Sequence, residues 1–423
     1  MIVTNNTLKK EKINWNKIIT DLILFTILPP IIGIPMVIIK ILQNNKAKYS
    51  DYLSFMVCIA VYFAAINATK MPGGDQWQYW AAYMNVPKIG FIKSLMYIYG
   101  FDLGKEVNSI SGEFMNGVYN YFGYYFTFGY YPLYAALLTF ANYIFNFLGI
   151  YKFANTLKSP HIPIVCGILI LSFFYLYFQY LLQIQKQFLA QSIMMYVLAS
   201  YAVSGKLKKK EYFLMLCAVF THAATLLFVP LILYKPLRAS LTKEGLIFLG
   251  IVFSTLIIMG PRLAGNIIFS DNKLALTYGL NRIAESEIKN DGLGLVFSQV
   301  VVIAIPIAII VLKKLWTDRK KLNNEQAFIL NIILLLLLTV VAMFKQPLAQ
   351  YRYFMMIIAF MPYAYFFISK RITTRDIILK SISLIMIVWF YYQFEKIVWN
   401  YAPEMDIIIK SPILLIFGNY YQI

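Results

Sequence analysis

The sequence predicts an all-α fold. It reads as one integral membrane domain over residues 1–423, a transmembrane bundle of about 10–12 helices with re-entrant half-helices and an interfacial outer-loop helix. Three observations predict it. The 423 residues are 60% hydrophobic with a mean hydropathy of +0.65, more than a soluble domain of that length carries. Apolar runs of about 17–24 residues recur along the chain. Between them lie mostly short loops, and these hold much of the Lys and Arg behind the net charge of +19.

That charge fits positive-inside bias and anionic headgroups, so nucleic acid is not an expected partner. Cys58, Cys166 and Cys217 all fall inside apolar runs, which excludes a disulfide framework and a thiolate metal site. The basic start, MIVTNNTLKKEKINWNK, precedes a long apolar segment without a small-residue cleavage site, so a retained first helix is expected rather than a signal peptide.

In order, the predicted spans are 19–42, 52–69, 131–151, 162–182, 188–204, 212–234, 245–260, 294–312, 326–344, 353–369 and 376–393. The first contains Pro29-Pro30 and has lysines at both ends, which argues for a break. The clusters Lys206–Lys210 and Lys313–Lys321 are the most basic and belong on the cytoplasmic side. Residues 345–352 and 261–293 then fall outside, and 235–244 inside. Segment 212–234 thereby begins and ends inside although it is one span long. Either it is a re-entrant pair of half-helices with His222 near the turn, or one basic loop lies on the other side. Residues 70–130 form the largest non-spanning region, an outer loop expected to hold a short amphipathic helix after Gly73-Gly74 and an aromatic, glycine-broken stretch at its end. The tail after Tyr392 reads as amphipathic and interfacial.

Several polar groups are expensive in hydrocarbon and so should face a cavity or a partner. Gln179, Gln183, Gln187 and Gln191 recur every four residues, with Lys186 inside the stripe. His222, one of two histidines, lies midway along its apolar segment. Lys186 and Arg352 stand at predicted outer ends, where each suits a diphosphate, lysine as a point charge and arginine as a fork. Snorkelling to headgroups is the plain alternative. Arg262 and Arg282 are weaker cations of the same kind. Asp75 and Tyr79 share a helix face flanked by Trp77 and Trp80, the aromatic-plus-carboxylate set that binds sugars; an N-cap aspartate with interfacial tryptophans is the other reading. Glu113 is a second outer carboxylate, more simply explained as an exposed loop residue. No HxxxH or paired-carboxylate spacing suggests a metal site. Walker loop, Rossmann glycines and nucleophile elbow are all missing, which argues against a nucleotide-consuming site.

Four stretches carry a family resemblance. Gly73-Gly74-Asp75-Gln-Trp-Gln-Tyr79 is similar to the "GxD…Y" of the first outer loop in EpsG-type and Wzy-type polysaccharide repeat-unit polymerases. Lys186-Gln187-Phe-Leu-Ala190-Gln-Ser-Ile193 resembles their "RQ-x-x-A-x-x-I", Ala218-Val-Phe-Thr-His222-Ala-Ala224 their histidine helix, and Tyr351-Arg352-Tyr353-Phe354 their arginine before a late span. Gly112-Glu113-Phe114 loosely matches an acidic entry to the third helix. In order, these cover residues 70–370. Lys186 departs from the pattern, where arginine is usual, and loses bidentate recognition.

The resemblance implies a metal-independent glycosyltransferase of the bacterial inner membrane. It would join oligosaccharide repeat units carried on undecaprenyl diphosphate into O-antigen or capsule at the outer face, with no cofactor. Membrane lipids and a chain-length regulator membrane protein would be further partners. Arg352, Lys186 and Arg282 would hold the diphosphate, and Asp75 or His222 would act as base. Trp77, Tyr79 and Trp80 would stack on sugars, with Gln183, Gln187 and Glu113 lining the cavity. Two other classes share the topology. A lipid-linked oligosaccharide flippase should show two similar halves and even loops; no repeat is visible. A glycan acyltransferase calls for an early arginine-histidine arrangement, and the first histidine here is His161.

Overall fold

Helix length follows apolar length along this chain. The computed structural model describes residues 13–96, 113–266, 293–342, 347–397, 400–418 and 420, and within them the regular structure is helical. The chain begins with α1 (Trp15–Ile27), α2 (Pro30–Gln43) and α3 (Tyr49–Ala68). The former outer-loop region holds α4 (Asp75–Met96) and α5 (Met115–Phe126). Next come α6 (Tyr131–Ala154), α7 (His161–Ser172), α8 (Tyr175–Tyr180), α9 (Gln185–Ser204), α10 (Lys209–Thr221) and α11 (Phe228–Leu233). The second half adds α12 (Lys243–Asn266), α13 (Leu293–Thr317), α14 (Asn324–Ala342), α15 (Pro347–Tyr365) and α16 (Ile372–Phe394), then the short α17 (Glu404–Ile409) and α18 (Pro412–Phe417). α3, α6, α13, α14 and α16 are long and apolar enough to cross a membrane.

Three predicted spans are broken, each for a physical reason. Leu28 is extended before Pro29, as a residue preceding proline prefers, so residues 19–42 fold into a hairpin. Lys40 of α2 bonds Asp21 of α1 at 2.6 Å, and Gly33 sits against the Phe25 ring. Residues 162–182 divide into α7 and α8 at Phe173-Phe174, a break without any proline or glycine signal. In the third case α10 stops at Thr221, His222 is extended (φ −154°, ψ 122°), and a 3-10 turn, Ala223–Leu227, leads into α11.

This last break resolves the parity conflict in favour of the re-entrant reading. After α11, the Arg238 guanidinium donates to Ala202 O at 2.9 Å and lies over the Tyr201 ring, beside the turn that launched α10. The segment therefore returns to the end of the bundle it left. Further bonds gather the basic loops at that end. Asn331 donates to Leu237 O at 2.8 Å, Lys370 pairs with Asp318 at 2.9 Å, and Arg375 donates to Lys158 O and Ser159 O. Lys206–Lys210 and Lys313–Lys321 thus share one end, as positive-inside bias requires.

At the opposite end α4 and α5 lie side by side and antiparallel. A side chain at Gly117 would strike the Ser94 carbonyl, Phe91 meets Tyr121, Tyr83 OH pairs with Thr127 Oγ1 at 2.5 Å, and Gln76 donates to Tyr131 OH at 3.2 Å. α5 starts beside α9 and ends beside the first turn of α6, so it crosses this end laterally. The tail is not merely interfacial. Tyr62 OH donates to Ile407 O, Tyr130 OH to Ile416 O, and Ile407 and Leu415 are fully buried, because α17 packs its apolar side chains against α2 and α18 against α3 and α6.

Candidate functional site

The broken helix and the lateral helix meet at one carboxylate. Glu113 enters α5 from the turn at Glu113–Phe114, and its Oε2 accepts from Lys186 Nζ at 2.7 Å. Its Oε1 contacts His222 Nδ1 at 2.8 Å and accepts the Ala223 backbone N–H at 3.1 Å. That N–H is available because the helix stops at His222. The side chains of Glu113, Lys186 and His222 are 14%, 13% and 13% exposed, so the three share a nearly water-excluded niche. The expectation of an exposed Glu113 is corrected: it is the hub. Buried charges persist where they are paired and hydrogen-bonded, and this carboxylate has three donors.

Burial alone would push the Glu113 carboxyl up; Lys186 and then His222 outweigh it and hold the group well below its ordinary value of 4.5. A depressed carboxyl contributes stability that is fully present above its ordinary value and lost as pH falls through the folded one. Thermal unfolding of the detergent-solubilised protein should therefore keep the Glu113 contribution down to about pH 4.5 and lose it below. Glu113→Gln should be the less stable protein above that range, with the gap closing only on its acid side. A gap that closes between about pH 7 and 5 contradicts the pairing.

With the carboxylate ionised, His222 Nδ1 is the donor that faces it, and Nε2 is the ring nitrogen turned away from it. Nε2 is buried and has no partner among the described residues. The backbone on either side is fixed: His222 N–H donates to Ala218 O, and its own carbonyl accepts from both the N–H and the hydroxyl of Thr225. An imidazole oriented by a carboxylate, with the other nitrogen left unpaired, is the arrangement of a general base.

Arg352 joins through its neighbour in the motif. Gln187 Nε2 donates to Arg352 O at 2.7 Å, and one turn on Gln191 Nε2 donates to Met355 O at 3.1 Å. The glutamine stripe is therefore interhelical glue between α9 and α15 at these two positions. Gln183 and Gln179 are also buried. Among the described residues no carboxylate pairs with Arg352, whereas Lys186 is committed to Glu113.

Asp75 is exposed and begins α4, at the far end of the α4–α5 pair from Glu113. The structure does not join it to His222. Trp77 is half exposed and its ring lies 4.6 Å from that of Trp80, while Tyr79 is buried at 7% exposure. Arg282 lies outside the described residues, and α12 carries Arg262 within its last two turns. Sequence reasoning missed Lys70, fully buried two residues past the end of α3, with Nζ 3.4 Å from Gln179 O. Among the described residues no three His, Cys, Asp or Glu side chains gather as a metal site would need.

The model of the EpsG family matches residues 73–403, which takes in every residue of this niche. No curated protein and no solved structure matches the chain.

Proposed function

The chain belongs to the EpsG family, a Wzy-like polysaccharide polymerase family, and on that footing we propose that it joins lipid-linked oligosaccharide repeat units into surface polysaccharide. The repeat units are carried on undecaprenyl diphosphate, the product is O-antigen or capsule, and the reaction takes place at the outer face of the bacterial inner membrane. One observation carries the reading: a Glu113–His222 pair whose Nε2 is buried without a hydrogen-bond partner among the described residues, set at the end of a membrane bundle opposite its basic loops.

In this reading each residue has its own role. His222 Nε2 takes the proton from a hydroxyl of the acceptor sugar. The resulting oxygen attacks the anomeric carbon of the donor, whose bond to the diphosphate oxygen breaks, and undecaprenyl diphosphate leaves with that electron pair. Arg352 stabilises the charge on the leaving diphosphate as a planar fork. Lys186 keeps Glu113 ionised and serves the diphosphate only second to that. Trp77 and Trp80 offer ring faces to sugars, with Asp75 as a hydroxyl acceptor on the same helix.

A deletion strain complemented with variants tests this. Arg352→Ala should leave surface glycan capped by a single repeat unit, and Arg352→Lys, a point charge without the fork, should give short chains. Asp75→Asn should still make long chains. Complete loss of surface glycan in Arg352→Ala would indicate a flippase, and long chains there would remove Arg352 from the site.

A further inference from the structure

Glu113 and His222 belong to different segments, 109 residues apart, and something must hold one against the other. The first turn of α5 supplies it. Asn116 is 5% exposed, and its amide nitrogen donates to Glu113 O at 3.0 Å and to Thr221 O at 2.9 Å. A side-chain amide has two N–H bonds, so each carbonyl receives its own. Thr221 is the last residue of α10, immediately before the imidazole; Glu113 is the carboxylate itself. One side chain thus ties the backbone of the base to the backbone of its orienting partner. Neighbouring contacts follow the same line: Tyr119 OH pairs with Thr221 Oγ1 at 3.1 Å, and the Phe114 and Phe220 rings lie 4.9 Å apart.

We propose that Asn116 is the positioning residue of this site: its two donated hydrogen bonds lock the entry of α5 to the end of α10 and thereby fix the tautomer and orientation of His222. It touches no substrate. The inference rests on the proposed role of His222 as base, but its structural half is independent of that role.

Asn116→Asp separates the two, since it keeps shape and replaces the donor with an acceptor facing two carbonyls. The chain has only two histidines, so 15N-histidine NMR of the purified protein reports both, with a His161→Gln sample assigning the signals. His161 Nδ1 pairs with Tyr52 OH at 2.8 Å at the basic end, and its unchanged signal certifies an intact fold. In Asn116→Asp the His161 signal should stay, the single carboxylate-bonded Nδ1 signal of His222 should give way to a mixture, and chain growth should fall about tenfold or more in kcat with KM within about twofold, as expected when only the base is misaligned. Should the His161 signal move as well, Asn116→Leu, which removes the donors without adding charge, decides on the same readings. A His222 spectrum unchanged in a folded variant overturns the proposal. A disturbed His222 with undiminished chain growth keeps the positioning role and sinks His222 as the base.

Discussion

His222→Ala should abolish polysaccharide chain growth while leaving single repeat units on the cell surface. General-base help contributes about two to four orders of magnitude in rate, so the residual polymer should lie at or below a hundredth of wild type. The substitution removes no charge pair whose loss unfolds the protein, since Glu113 keeps Lys186 at 2.7 Å. Protein level in the membrane should therefore be near normal. His222→Gln, which restores a donor toward Glu113 but has no basic nitrogen, should be as inactive as the alanine variant. Activity in the glutamine variant would mean that the imidazole only fills space.

The second large effect is on stability and comes from Glu113 with Lys186. Removing one member of a buried ion pair strands the other and costs about 3–5 kcal/mol. Glu113→Gln and Lys186→Met should each lower the melting temperature markedly in detergent. The double variant should recover part of the loss, with a coupling of about 0.5–3 kcal/mol. Activity should not recover with it, because His222 has still lost its orienting carboxylate. Additive losses in stability would show that the two residues do not meet. Lys186→Arg should retain activity, since a guanidinium forks a carboxylate at least as well as an ammonium contacts it.

Much of the architecture was legible because hydrocarbon imposes length and polarity rules on every span. The basic loops predicted their own side, and they also exposed segment 212–234 as an anomaly that begins and ends on one side. The break at His222 is what that anomaly meant. Pro29 marked the α1–α2 hairpin by a local signal, the extended backbone of the residue before it. Phe173-Phe174 gave no such sign: α7 ends there through tertiary packing, both rings being buried in the core. The site divided along similar lines. Lys186, His222 and Arg352 stood out as costly groups in apolar surroundings. Glu113 did not, because its partners lie 73 and 109 residues away and no local pattern foretells such a meeting. Gln187 was read as a cavity wall, yet its amide bonds the backbone of α15; a periodic stripe gives the face and not what the face meets.

Purified wild-type protein in liposomes, supplied with undecaprenyl-diphosphate-linked repeat units and a chelator but no nucleotide sugar, gives the most direct test. A ladder of lengthening glycans with release of undecaprenyl diphosphate is expected, and no ladder from His222→Ala. Lipid-linked units that cross the bilayer without joining, or an undiminished ladder from His222→Ala, would contradict that expectation.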